Sequence, residues 1–275
     1  MNSCNNSKLI KRLQANKPKI IEIDFPPNHI HSLEYDSVED DGATKKNKFL
    51  YLSDASSINV FNEHFELMKT IMSIQGIAIE PSCLTSNQLD SLFISDHNDF
   101  IILCDLKFNL LTKVGVHGDC IGQFDHISNL LYINQRLYVC DTYNQRVVCL
   151  DSSSLSFLFS IQFDYEPIQI EILNNIACVM GNLNLYFYEL NNSFNLIRKI
   201  GCNDCSIGLF SSHLIFALSY VDNKFIVYSL LTLEQSVELT DSLNELTIDY
   251  DDSRCVAYFD KKLVISTSSG KIFVF

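Results

Sequence analysis

Short apolar runs separated by polar turns recur along almost the whole chain, a pattern that predicts strands rather than helices. The middle shows it best: apolar runs at 126–133, 137–141, Arg146–Asp151 and Phe157–Gln162 predict four consecutive strands. The preceding segment repeats the arrangement at 76–81, Ser91–Asp96, Phe100–Asp105 and Leu110–Val114, and the following one at 167–173, Ile176–Gly181, 183–190 and 196–200. Four short strands per unit is the content of one blade of a β-propeller.

The second strand of each unit carries the periodicity. Leu137-Tyr138-Val139-Cys140-Asp141 has echoes ending at Asp54, Asp96, Gly181, Ser219 and Thr267, so successive strand ends lie 42, 45, 40, 38 and 48 residues apart. A period of about 40–45 residues is that of a propeller blade. The last unit has only three apolar runs, whereas Ile20-Ile21-Glu22-Ile23-Asp24-Phe25 precedes the first unit with no blade of its own. That segment is predicted to be the fourth strand of the last blade, closing the ring and covering an edge that would otherwise invite pairing with other chains. Residues 36–48 predict an exposed loop within blade one, and residues 1–19 a basic flexible arm ahead of a domain spanning 20–275.

The third unit, with Gly118-Asp119-Cys120-Ile121-Gly122-Gln123-Phe124 ahead of Leu137–Asp141 and then Tyr143-Asn144-Gln145-Arg146-Val147, resembles the NHL repeat. The resemblance is specific there, looser in the first two units and weak in the last three, where the strand-ending Asp is replaced; only nine glycines are present. It implies an all-β fold, a six-bladed β-propeller of NHL type, with an activity of recognition rather than catalysis. It also implies a protein- or peptide-binding scaffold, like the propellers of tripartite-motif ubiquitin ligases, in which another polypeptide would supply ligase chemistry. Single-stranded RNA binding is the alternative, and a metal-dependent lyase or hydrolase ranks below both.

Charge bears on that choice. The net charge is −13, and residues 1–19 contribute five lysines or arginines without an acid, so the remainder carries −18. Such a surface repels a phosphate backbone on average, which disfavours RNA and makes DNA unfit. No secretory leader or apolar run of membrane-spanning length stands out, and the expectation is a cytoplasmic protein without a membrane partner. The ten cysteines sit mostly singly in apolar runs and are expected to be reduced core thiols.

Chemistry-bearing motifs are few. Asp54, Asp96 and Asp141 recur in every clear unit and are expected to tie their own turns, with Asn144 and Arg146 assisting. Cys202-Asn203-Asp204-Cys205 lacks a second pair for zinc, and His29-Ile30-His31 lacks a third ligand set, so neither is assigned a metal and no cofactor is expected. Recognition is expected on the turns after the motif strands, at Tyr143, Asn144, Arg146, Tyr165, Tyr220, Lys224, His97 and His117, with the tyrosines as anchors.

Overall fold

The computed structural model describes residues 19–23, 29–38, 44–173, 175–190, 194–201, 205–211, 214–219, 224–229, 234–238, 253–259, 262–267 and 271–274. They form six antiparallel four-stranded sheets and one two-stranded hairpin, and no helix occurs among the described residues. The chain divides into two compact units, residues 27–201 and residues 1–26 with 202–275.

Residues 27–201 contain four sheets, each a simple meander. The first comprises His29–Val38, Thr44–Ser53, Ile58–Phe61 and Leu67–Ile71. The second comprises Pro81–Ser86, Ser91–Asp96, Phe100–Asp105 and Leu110–Val114. Ile127–Ile133, Arg136–Asp141, Arg146–Asp151 and Phe157–Gln162 make the third. Gln169–Leu173, Ile176–Gly181, Asn184–Leu190 and Phe194–Gly201 make the fourth.

Side-chain alternation explains why the middle strands read as unbroken apolar runs. In Arg136–Asp141, Leu137 and Val139 join an apolar layer with Phe93, Ile101 and Leu103 of the second sheet. Tyr138 and Cys140 of the same strand join Ile170, Ala177 and Val179 of the fourth. Successive residues of a strand point to opposite faces, so a sheet buried on both faces needs apolar residues at every position. Outer strands have one partner fewer and alternate, as Phe157–Gln162 does between half-buried and exposed positions.

A register shift recurs between the third and fourth strands, at Val60/Phe61, Leu103/Cys104, Cys149/Leu150, Phe187/Tyr188 and Val227/Tyr228. Such bulges bend and twist the outer strand. Their equivalent placement in five sheets is a sign of repetition independent of side-chain identity.

The other unit holds two sheets. One runs through Cys205–Ser211, Leu214–Ser219, Lys224–Ser229 and Glu234–Glu238. In the other, Ser253–Phe259, Lys262–Thr267 and Lys271–Val274 are joined by the N-terminal strand Lys19–Glu22, with Lys19 opposite Val274 and Glu22 opposite Lys271. The N-terminal segment therefore supplies a fourth strand, beginning at Lys19 rather than Ile20. Residues 1–18 of the expected arm, and residues 24–25 of the expected strand, lie outside the described residues.

Two other expectations are corrected. Residues 36–38 and 44–48 belong to paired strands instead of an exposed loop, with Val38 opposite Thr44. That register sets Glu34 opposite Lys48 and Asp36 opposite Lys46. In the second unit, the first strand is Pro81–Ser86, not 76–81. Ile77–Ala78 pairs with Ser73–Ile74 around Gln75 and Gly76, both at positive φ, the backbone of a tight two-residue hairpin.

Four of the cysteines expected in the core, Cys104, Cys140, Cys149 and Cys178, are buried and outside any disulfide, as is Cys83, whose Sγ lies 2.7 Å from the Ser95 hydroxyl, whereas Cys120 is exposed. Burial alone pushes the Glu171 carboxyl in the fourth sheet up to about 8 from an ordinary 4.5. The folded state then keeps a proton that the unfolded state loses, so stability falls as pH rises from about 4.5 through about 8. Glu171→Gln is expected to flatten that dependence, leaving the variant more stable than the parent above the upper limit and little changed below the lower, measured by denaturant unfolding across a pH series.

Candidate functional site

Each clear unit ends its second strand with a carboxylate that organises the turn beyond it. Asp54 accepts hydrogen bonds from the Ser56 amide at 2.8 Å, the Ser57 hydroxyl at 2.6 Å and the Asn59 side chain at 3.1 Å. Asp96 accepts from the Glu80 amide at 2.7 Å and from the amide and side chain of Asn98. Asp141, fully buried, accepts from the Asp125 amide at 2.7 Å, from Asn144 at 2.9 Å, and from Arg146 Nε at 2.6 Å. Desolvation raises the Asp141 pKa despite these donors.

Arg146 is committed to this framework. Its Nη1 donates to the Asp119 carbonyl at 2.7 Å and its Nη2 to the Cys120 and Gln123 carbonyls, so the guanidinium closes the 118–123 loop. Asn144 donates to both the Asp141 carboxylate and the Gly118 carbonyl. Both residues, expected to contact a partner, have their donors directed into the protein.

Tyr165 is also corrected. It is 2% exposed, stacked on Tyr186 at 4.0 Å between ring centroids, and its hydroxyl meets that of Tyr188 at 2.9 Å. The connection bearing it folds over the end of the Ile176–Gly181 strand. A Cβ at Gly181 would collide with the Glu166 carbonyl oxygen and the Tyr165 ring. Here glycine replaces the motif Asp because the space is taken.

Tyr143 is exposed, 59% accessible. Its ring stacks on that of His126, centroids 4.6 Å apart and planes 17° apart, and its amide donates to the Asp125 carbonyl. His97 is exposed, with its amide donating to the Glu80 carbonyl. Lys224 opens a strand opposite Ser219, but its side chain and all of Tyr220 lie outside the described residues, as do Cys202, Asn203 and Asp204 of the Cys-x-x-Cys. His31 bonds Ser86 across the first and second sheets at 2.9 Å, a structural tie.

His117 lies beside two acids, Asp99 and Asp125. Its Nδ1 is 2.8 Å from Asp99 Oδ2 and 3.8 Å from Asp125 Oδ1. The hydrogen bond to Asp99, then the charge of Asp125, raises its pKa. Asp99 sits at φ 59°, a left-handed backbone that no sequence motif announces.

The turns at this end of the sheets in residues 27–201 form one bonded network. His97 N–H meets the Glu80 carbonyl, Thr142 N–H that of His126, Phe163 N–H that of Gln145, and the Thr142 hydroxyl that of Pro167. Segments 79–80, 97–99, 115–126, 142–145, 163–168 and 182–183 contain no lysine or arginine but include Glu80, Asp99, Asp119, Asp125, Asp164 and Glu166. Between these acids stand exposed Val116, Ile121, Tyr143, Ile168 and Leu183.

Comparison with solved structures defines the class: the chain has a β-propeller fold. It is similar to the WD40 β-propeller domain of Doa1, with TM-score 0.65 over 95% of each chain at 9% identity. It is also similar to a chain in the mitotic checkpoint complex, with TM-score 0.62 at 12% identity over 95% of this chain and 94% of that one. A third likeness is to the computationally designed Ika8 protein, with TM-score 0.54 at 11% identity over 82% of this chain and 67% of that one. The sequence matches no protein-family model and no curated protein. No helix among the described residues is long and apolar enough to cross a membrane.

Asp141 and Tyr143 occupy adjacent parts of one turn with opposite roles. Asp141→Ala strands a paired Arg146 and is expected to lose about 3–5 kcal/mol of stability. Tyr143→Ala, at an exposed position, is expected to change it by about 0.5 kcal/mol or less. Chemical denaturation of the two variants beside the parent checks both.

Proposed function

We propose that this chain is a protein- or peptide-binding scaffold, a six-bladed NHL-type propeller that holds its partner on the loop end bearing Tyr143. The observation that carries the reading is an exposed aromatic ring set on a rigid base. Tyr143 stacks on His126, and Val116 and Ile121 of the connection that carries His126 are exposed as well. Aromatic side chains with few rotatable bonds bury large area at low entropic cost, which suits them to partner recognition. Six four-stranded sheets and the Asp141, Asn144 and Arg146 hub support the NHL assignment. One similar structure belongs to a multi-component assembly, which accords with a scaffold role.

The reading extends to substrate recognition within ubiquitin transfer, with ligase chemistry on another polypeptide. Single-stranded RNA is the weaker ligand class. It demands cations to follow a phosphate backbone, and the segments around Tyr143 supply acids, with Arg146 already bonded to three carbonyls. A cytoplasmic, non-enzymatic scaffold of this kind requires no cofactor.

Affinity capture from source lysate with the intact chain, Tyr143→Ala and Ile121→Ser is the test. Proteins that survive ribonuclease and are reduced about tenfold by either substitution are the expected result. Partners that vanish with ribonuclease, or that ignore both substitutions, overturn the proposed face.

A further inference from the structure

We propose that Asp99, His117 and Asp125 form a binding site for one divalent metal ion of the zinc class. One imidazole nitrogen and two carboxylate oxygens, from the 97–99 turn and the 115–126 connection, lie within 4.8 Å of one another. The two contacts to His117 Nδ1 are 2.8 and 3.8 Å. Ligands about 2.0–2.2 Å from a tetrahedral zinc ion sit about 3.3 Å apart, so only small side-chain movements are needed. Mixed imidazole and carboxylate donors suit zinc or manganese better than the all-oxygen cages of calcium.

Charge points the same way. Among the described residues neither carboxylate has a lysine or arginine partner, and His117 is the one basic group facing both. A protonated imidazole can neutralise one of two negative charges, whereas a divalent ion neutralises both. Binding would displace the proton that Nδ1 shares with Asp99 and release it to solvent, and the Nε2 edge would remain free.

The ligands are held by contacts outside the site, as ligand-orienting groups are in metal centres. Asp99 Oδ1 accepts from the His126 amide at 2.8 Å, which leaves Oδ2 turned to His117. The Asp125 amide is fixed to buried Asp141. Two backbone bonds, Phe124 N–H to the Val116 carbonyl and Gly118 N–H to the Phe124 carbonyl, flank His117 and keep it beside Asp125. Gly115, at φ +100°, permits the approach, since a Cβ there would lie 2.8 Å from the Asp99 carbonyl oxygen.

Three protein ligands leave a coordination position for water or for a group brought by a partner. The test is equilibrium dialysis of the full chain against zinc at neutral pH, with parent, His117→Ala and Asp125→Asn run in parallel under reducing conditions. Because the chain contains ten cysteines, cobalt(II) substitution distinguishes this site from a thiolate one. The expected result is one zinc per chain, weakened at least tenfold in each variant, with a cobalt spectrum lacking thiolate charge transfer. The unfolding midpoint should rise with zinc in the parent but not in His117→Ala, whose side chain is exposed and outside the core. Absence of stoichiometric zinc, uptake undiminished in both variants, or a thiolate spectrum overturns the proposal.

Discussion

The buried carboxylate of Asp141 is the interaction on which the described loop end depends. It is withdrawn from water and must be compensated, since an unpaired buried charge is among the costliest defects in a fold. Its donors are distributed so that compensation also does construction. Arg146 fastens the 118–123 loop, Asn144 reaches the Gly118 carbonyl, and the Asp125 amide is drawn toward the strand end. The positions of His117, Asp125, His126 and Tyr143 all follow from that arrangement. A single desolvated anion therefore converts a strand terminus into the base of a surface.

Much of this fold was legible because its repeats rest on hydrophobic periodicity and on one polar signature. Leu137 to Asp141 announces both the strand and the hub, and Ile20 to Phe25 announces a strand needing a distant partner. Errors arose where pairing overrode local composition. Charged residues in 36–48 suggest solvent, yet residues 36–38 and 44–48 pair as neighbouring strands. Ile77 and Ile79 suggest a blade strand, but Gln75 and Gly76 adopt the backbone of a tight hairpin.

The candidate site was less legible, for a related reason. Tyr165 lies in a connection by sequence, and sequence does not tell whether a connection turns outward or packs back. A signal was nevertheless present at Gly181, where loss of the motif Asp reflects the ring and carbonyl pressed against that strand end. Asp99 offered no comparable clue. With only nine glycines, the chain uses ordinary residues such as Asp99, His126 and Gln145 in left-handed turns, so glycine does not mark these positions. The grouping of Asp99 with His117 is a product of backbone geometry and long-range packing, neither of which has a local pattern.

Pairing of Lys19–Glu22 with Lys271–Val274 has a consequence for biosynthesis. Translation delivers the first of these segments roughly 250 residues before the second, so the earliest strand cannot find its hydrogen-bonding partner while the chain is still emerging. Sheets made from consecutive strands can form as they leave the ribosome, but this one waits for Lys271–Val274 to be made. During that interval an unsatisfied strand is available to chaperones or to wrong neighbours.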